Sequence, residues 1–474
     1  MRCGLAPNLL LVSFVLGVSA ASADEAASVI AAPAPAGEPL STEFTVQVEK
    51  TPVAVYPARV CSMTPEQRQK LSTQASIAQT ALTSFASFDF TGTVQVTVSA
   101  QEPVTAVTVL PLSAGIHPVI TGNTVTFPLS HPGQFTVEIN GHWIDSLHLF
   151  ANPIETNVPD PHDPNVIYFG PGVHHVQSVK ATSGQTIYVA AGAVVYGEAG
   201  PVNPRETIID LQGNGVTLRG RGIIDGSLCP RETRSLFGAT GTNLTVEGVI
   251  LRDSSEFTLC PRRSDNMKIE NVKIFGWRSN SDGMDICNCR HVQISHCFVR
   301  TFDDLIVLKT DKGQGDLSDV TVTGCVLWNE FAHALSLGAE LREPLSDVHF
   351  SDCDIIHDKG REWLLRVYNC DSAPVTNVTF DHIRADEARR LMSVWIGAAV
   401  WSKEPERGHA DHIVFSNITF PEPTGRQPWT ELIGFDAAHA VHDVTFQNVM
   451  IGGQPLKLAD IQQNAFVTDV KVVP

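Results

Sequence analysis

Basic residues are scarce in this 474-residue chain: 33 Lys and Arg stand against 51 Asp and Glu, a formal charge of −18. Nonspecific nucleic-acid binding needs a basic face to displace counterions, so no nucleic-acid partner is expected. An anionic ligand would need a local group of Arg and Lys working against the overall field. Long apolar runs are missing beyond the amino terminus, which excludes a membrane-spanning helix. Helix-length apolar stripes are missing too, and Cys287-Asn288-Cys289 lacks the partner pair of a zinc site, so neither metal nor cofactor is expected.

The one early apolar run, Leu9 to Val18, follows Arg2 and precedes Ala21-Ser22-Ala23. That is the anatomy of a signal peptide over residues 1–23, and it predicts a secreted or periplasmic protein beginning near Asp24. Export suggests an oxidising compartment, yet ten cysteines, with Cys3 in the leader, leave an odd nine. Cys297, Cys325 and Cys353 recur at 28-residue steps in the slot that Val249, Val272, Ile383 and Ile418 take elsewhere. They read as buried thiols, because free Cys packs as a small hydrophobe. A bridge involving Cys61, Cys229 or Cys260 stays open.

Residues 24–40 are rich in Ala and Pro and read as a linker. Residues 41–155 hold short alternating segments such as Val94-Gln95-Val96-Thr97-Val98, split by turn signals such as Thr121-Gly122-Asn123. They predict a small antiparallel β-sandwich, with one helix-like interruption from Pro65 to Leu82. Residues 156–474 repeat. Units begin at Gly215, Asn243, Asn266, His291, Asp319, Asp347, Asn377, His412 and Asp443, at steps of 23 to 35 residues. Each is a polar residue followed by period-2 alternation, too short to bury its apolar side alone. Stacking edge to edge solves this, and the prediction is a right-handed parallel β-helix. The sequons at Asn243, Asn377 and Asn417 fall on these strands and read as corner residues.

A second strand of each coil can be aligned, and it carries the chemistry. The residue before it is Asp282, Asp304 and His333 in three successive coils, with Asp303 one position earlier. Outward columns would hold Asp285, Ser336 and Arg366, then Lys309 and Tyr368. Carboxylates this close cannot all ionise freely. A protonated acid beside ionised partners is what inverting glycoside hydrolysis needs, with the two carboxyl groups about 6.5–9.5 Å apart. Corner aspartates that merely bond turn amides are the plain alternative for any one of these residues. Among the tryptophans near these coils, Trp363 and Trp395 point toward the groove and are the better candidates for stacking on sugars.

The same residues resemble glycoside hydrolase family 28, the polygalacturonases and their relatives, between about Gly213 and Thr379. Gly220-Arg221-Gly222-Ile223-Ile224-Asp225-Gly226 is similar to the family's entry coil, and Ser255-Glu256-Phe257-Thr258-Leu259-Cys260-Pro261 to its next strand. Asn280-Ser281-Asp282-Gly283, Phe302-Asp303-Asp304 and Ala332-His333-Ala334 resemble its three site motifs. The resemblance implies an inverting, metal-independent hydrolase, with Asp303 as general acid, Asp282 and Asp304 holding the attacking water, and His333 supporting them. It implies a substrate-binding role for Arg366; Lys309 and Tyr368 in the neighbouring column, and Trp363 and Trp395 by strand register, are the accompanying substrate-binding candidates. The family's Arg-Ile-Lys strand is Arg366-Val367-Tyr368 here, so the substrate cation at its third position is lost. Family 49, the dextranase and isopullulanase group, shares the coil architecture and three aspartates. The expected partner is a polysaccharide and the expected state a monomer. A pectin-like uronic-acid glycan leads, against a neutral glucan, a noncatalytic glycan-binding β-helix, or a calcium-dependent lyase.

Overall fold

The computed structural model describes residues 26–70, 76–200 and 206–474. The leader expected over residues 1–23 lies outside the described residues. From Val166 to Val473 the chain forms one 32-stranded sheet system in which nearly every pairing is parallel. Each strand pairs with its counterpart about one coil later, as Met284–Cys287 does with Ile306–Thr310 and that strand with Leu335–Leu341. This is a parallel β-helix with three strand faces per coil.

The corners explain the residues that open each repeat. Asn243, Asn266, His291, Asp319, Asp347, Asn377, His412 and Asp443 all have φ between 49° and 58°, and Gly215 has 67°. Side chains other than Gly, Asn, Asp and His pay a steric penalty there, so a polar residue at this position fixes the bend. Asn side chains also link successive corners, as when Asn377 Nδ2 donates to Asp347 Oδ1 at 3.0 Å. Inside, apolar ladders fill the solenoid: the rings of Phe350, Phe380, Phe415 and Phe446 stack at centroid distances of 4.9, 5.0 and 5.1 Å. Cys297, Cys325 and Cys353 are free thiols, fully buried with Val249, Val272, Ile383 and Ile418.

The amino-terminal strands form two sheets. One has five strands, from Phe44–Val48 to Thr124–Leu129 and their neighbours; the other has six. The expectation of a purely antiparallel sandwich needs a correction, because Leu147–Pro153 runs parallel to Thr80–Thr91. The expected linker also carries structure: Ser28–Ile30 pairs with Thr80–Thr91, and Glu38 is buried in an ion pair with Arg252. Of the helix expected from Pro65 to Leu82, the described residues hold a short helix at Pro65–Gln69, capped by Thr64, and a 3-10 turn at Ile77–Gln79, and Thr80 already begins a strand; residues 71–75 lie outside the described residues.

The six-stranded sheet lies along one flank of the solenoid. Tyr56, Phe85 and Phe150 pack on Ile250, Phe275, Phe298 and Trp328, which point outward from that flank. Lys273 is fully buried there and donates to Asn152 Oδ1 at 2.6 Å. Covering this face leaves the face carrying Met284–Cys287, Ile306–Thr310 and Leu335–Leu341 open. One arm of the sandwich reaches further: Cys61 and Met63 pack on Trp277, Phe302, Phe331 and Ala332, the residues that flank the candidate site.

Candidate active site

Backbone pairing brings the site residues into a column. Gly283 N donates to Asp304 O at 2.8 Å and Leu305 N to His333 O at 3.0 Å, so Asp282, Asp304 and His333 occupy equivalent positions on consecutive coils. Gly283 is required by this closeness, since a Cβ there would lie 2.4 Å from Leu305 O. Phe302 and Phe331 stack at 4.6 Å just before Asp303 and His333 and hold the two loops in register.

Carboxylate oxygens of Asp282, Asp303 and Asp304 all lie within 4.8 Å of one another. That is shorter than the expected 6.5–9.5 Å, and the reason is the column itself: neighbouring coils are only about 4.8 Å apart. Each acid has a different surrounding. Asp303 accepts two backbone bonds at 3.1 Å, from Asn280 N and Asp304 N, but among the described residues meets no cation within ion-pair distance. Burial, then the charges of Asp282 and Asp304, push its carboxyl up to about 8. Burial would raise Asp304 too, yet His333, whose Nδ1 sits 2.6 Å from Asp304 Oδ1, outweighs it and holds Asp304 below the usual range. Asp282 is raised as well: burial raises it, the Lys309 ammonium at 2.9 Å opposes, and Asp304 adds to the rise.

Lys309 needs a correction. Its ammonium lies 2.6 Å from Asp285 Oδ1 as well as 2.9 Å from Asp282 Oδ2. Burial alone would lower its pKa, but these two carboxylates raise it well above the ordinary value. It is a counterion for the acids rather than a free cation for substrate. Asp285, foreseen in the outward column but not as a site residue, is its second anchor.

The first predicted outward column is present, with Asp285, Val307, Ser336 and Arg366 in register; the second is not continuous, because the register shifts between Leu308 and Thr310 at Lys309, and Tyr368 is followed instead by Trp395. Arg366 Nη1 lies 3.0 Å from His333 Nε2 and 3.2 Å from Glu362 Oε2, and its guanidinium stacks 3.7 Å from the Tyr368 ring centre. Trp395 is half-buried, 5.2 Å from Tyr368. Trp363 departs from expectation. It is only 7% exposed, and guanidinium groups of Arg390 and Arg366 lie 3.1 and 4.7 Å from its ring centre, so it seats arginines instead of offering a face to sugar. Of the other tryptophans, Trp328 is sealed under the sandwich and Trp277 donates to Asp253 Oδ1 at 2.7 Å.

Glu362 and Arg390 were missed. Arg390 falls in the slot of Asp282, Asp304, His333 and Trp363, as Leu364 N donating to Arg390 O shows; extending the column by one coil would have found it. Glu362 lies before its strand, where alternation gives no signal. On the other side of the acids a cleft of about 700 Å³ contains Glu256, Phe257, Arg262 and Asp311. Burial, then Glu232, raise the Glu256 carboxyl, with Arg262 opposing.

A solenoid groove in which one carboxyl keeps its proton beside two acids that pair with Lys309 and His333 has the makings of a glycoside hydrolase. The sequence profile described as "Glycosyl hydrolases family 28" matches residues 178–469, and the chain belongs to that family. A polygalacturonase of Juniperus ashei is 25% identical over 227 residues, 44% of this chain and 43% of that protein. An endo-polygalacturonase of Pectobacterium carotovorum subsp. carotovorum is 23% identical over 215 residues, 44% of this chain and 50% of its own length. The matches thus span about half the length of these relatives. Among solved structures, Dex49A from Penicillium minioluteum superposes with a TM-score of 0.65 at 13% identity, covering 93% of this chain and 96% of that one. That likeness concerns the fold.

Proposed function

We propose that this protein is an exported, monomeric, inverting hydrolase of a uronic-acid-containing polysaccharide related to pectin. The observation that carries the reading is Asp303, a carboxyl that holds its proton to about pH 8 within 4.8 Å of two other carboxylates. In this reading Asp303 protonates the leaving glycosidic oxygen. Asp282 and Asp304 together hold the attacking water; two oxygens this far apart are bridged by one water with hydrogen bonds of about 2.7 Å. His333 holds Asp304 low and Lys309 opposes the rise of Asp282, while Asp303, with neither partner, is the acid that carries the proton. Polyanion binding is supported by a cluster of arginines on one flank, Arg361, Arg366 and Arg390, in a chain that is otherwise strongly acidic.

Two observations favour other readings. The short carboxylate spacing is nearer the roughly 5–5.5 Å at which retaining enzymes place nucleophile and acid. Arg366 already faces Glu362 at 3.2 Å, which favours a neutral glucan. One experiment separates all of these: incubate the protein with a panel of acidic and neutral polysaccharides and follow the first product by NMR. Release of the inverted anomer from a polyuronate is expected. The retained anomer would overturn inversion, exclusive action on a glucan would overturn the substrate, and no reducing ends from any polymer would overturn hydrolysis.

A further inference from the structure

Arginines on the flank beyond His333 are not equally provided for. Arg366 has Glu362. Arg361 lies 3.4 Å from the same carboxylate. Arg390 has no carboxylate within 4.0 Å among the described residues, although it is only 4% exposed. Its Nε and Nη2 both donate to one acceptor, Pro428 O, at 3.3 and 3.2 Å. Burial depresses it to about 10, with Arg426 adding to that effect and Glu431 opposing. A guanidinium taken out of water without a counterion is costly unless an anion completes it.

The surroundings share this excess of donors. Arg366 Nε and Trp363 Nε1 are buried with no hydrogen-bond acceptor. Glu431 also acts on Arg390 electrostatically, but burial raises its carboxyl and Ser393 Oγ already donates to it at 3.0 Å. Planar guanidinium groups recognise carboxylates through paired N–H donors.

We propose that Arg390, seated on the Trp363 ring next to Arg366, is a specificity-determining residue that binds the carboxylate of a uronic acid sugar in the groove. Glu362 is the companion that holds Arg366 in place while the groove is empty. The proposal rests on the reading of this groove as polysaccharide-cleaving and adds the residue that chooses the acidic substrate. Arg390 is five positions N-terminal to Trp395 and does not touch the three aspartates, so it acts on binding rather than on proton transfer.

The test compares polygalacturonate with the same polymer fully methyl-esterified, using the wild-type protein, Arg390→Gln and Arg390→Lys. On the acidic polymer Arg390→Gln is expected to raise KM at least tenfold with kcat within threefold, and Arg390→Lys to recover part of the loss. Equal losses on both polymers, or a fall in kcat alone, would mean a structural role and would overturn the proposal. A second measurement needs no variant: free galacturonate should inhibit the wild-type protein at least tenfold more strongly than galactose, and equal inhibition would also overturn it. If the wild-type protein cleaves only neutral polymers, this inference falls while the hydrolase reading stands. Release of reducing ends from no polymer at all would sink both.

Discussion

Glu330 and Asp303 lie on neighbouring coils, both acidic and both shielded from water, and they are treated in opposite ways. Glu330 sits between two arginines: Arg300 Nε at 2.8 Å from Oε1 and Arg68 Nη1 at 2.6 Å from Oε2, with all three side chains fully buried. Burial would raise Glu330, but Arg68 and Arg300 outweigh it and hold it below the usual value. Asp303 has no such partner and is raised. The first group ties the sandwich, through Arg68 of the short helix, to the loop that leads to His333. The second keeps a proton where a leaving group can take it. The balanced acid serves to hold two parts of the chain together, while the acid left without a cation keeps its proton.

The comparison breaks most visibly at Asp303. Asp303→Asn should cut polysaccharide hydrolysis by about 10²-fold or more, the usual range for losing a general acid. The same change should stabilise the protein. A carboxyl whose folded pKa is raised contributes stability that is complete below its unfolded value of 3.8 and is lost as pH rises toward 8. Asparagine avoids that loss, so the variant should melt about 2 °C or more above wild type at pH 7, with the advantage vanishing near pH 4. Thermal melts at both pH values alongside reducing-end assays decide it; an active or destabilised variant would mean that Asp303 is an ordinary ionised corner residue.

Arg68→Met tests the balanced group. Removing one partner of a buried ion pair costs about 3–5 kcal/mol, visible as a lower denaturant midpoint. The pH sign is the reverse of that for Asp303. Glu330 is depressed, so its contribution is present above its ordinary value of 4.5 and is lost as pH falls through the folded value. Wild-type protein should therefore lose the Arg68 contribution in acid, and the gap between wild type and Arg68→Met should close there. A gap that widens in acid would contradict the assignment.

Activity itself supplies a gentler test. With Asp303 as the acid, the rate should hold on the neutral side and then fall about tenfold per pH unit above about 8. Replacing His333 by Ala removes the partner that keeps Asp304 ionised, so Asp304 rises and competes for the same proton. The acid limb of the profile should then move to higher pH, by about one unit. A profile that does not move would place His333 outside the proton arrangement.

These groups were unequally legible in the sequence. The acids were readable because a parallel coil converts a spacing of some 22 to 30 residues into adjacency, and the left-handed corners admit so few residue types that Asn, Asp, His and Gly mark the repeat. The Arg68 group was not readable, since nothing local in Pro65–Gln69 says that its arginine meets a coil more than 260 residues later. The docked flank was hidden for a related reason. Its strands, such as Lys273–Gly276 and Val326–Asn329, are buried on both sides and show no alternation, so inward and outward residues look alike. Ser28–Ile30 was lost to composition: three residues among Ala and Pro carry little pattern, and pairing with Thr80–Thr91 supplies what propensity does not. Glu362 escaped because irregular loops have no period.

The smallest expected effect belongs to the third kind of buried residue, the uncharged rung. Cys297, Cys325 and Cys353 donate their thiols to the carbonyls of Ser295, Thr323 and Ser351 at 3.3, 3.5 and 3.2 Å, contacts each residue makes within its own turn. Val249 and Val272 fill the equivalent slot one coil after another without that bond. Cys325→Val should therefore shift stability by about 1 kcal/mol or less, and a reducing agent should leave the melting temperature of the wild-type protein unchanged. A large drop in either experiment would show that a sulfur–sulfur link, not packing, holds these coils, and would remove the distinction between a rung that only fills space and the two groups where charge decides the outcome.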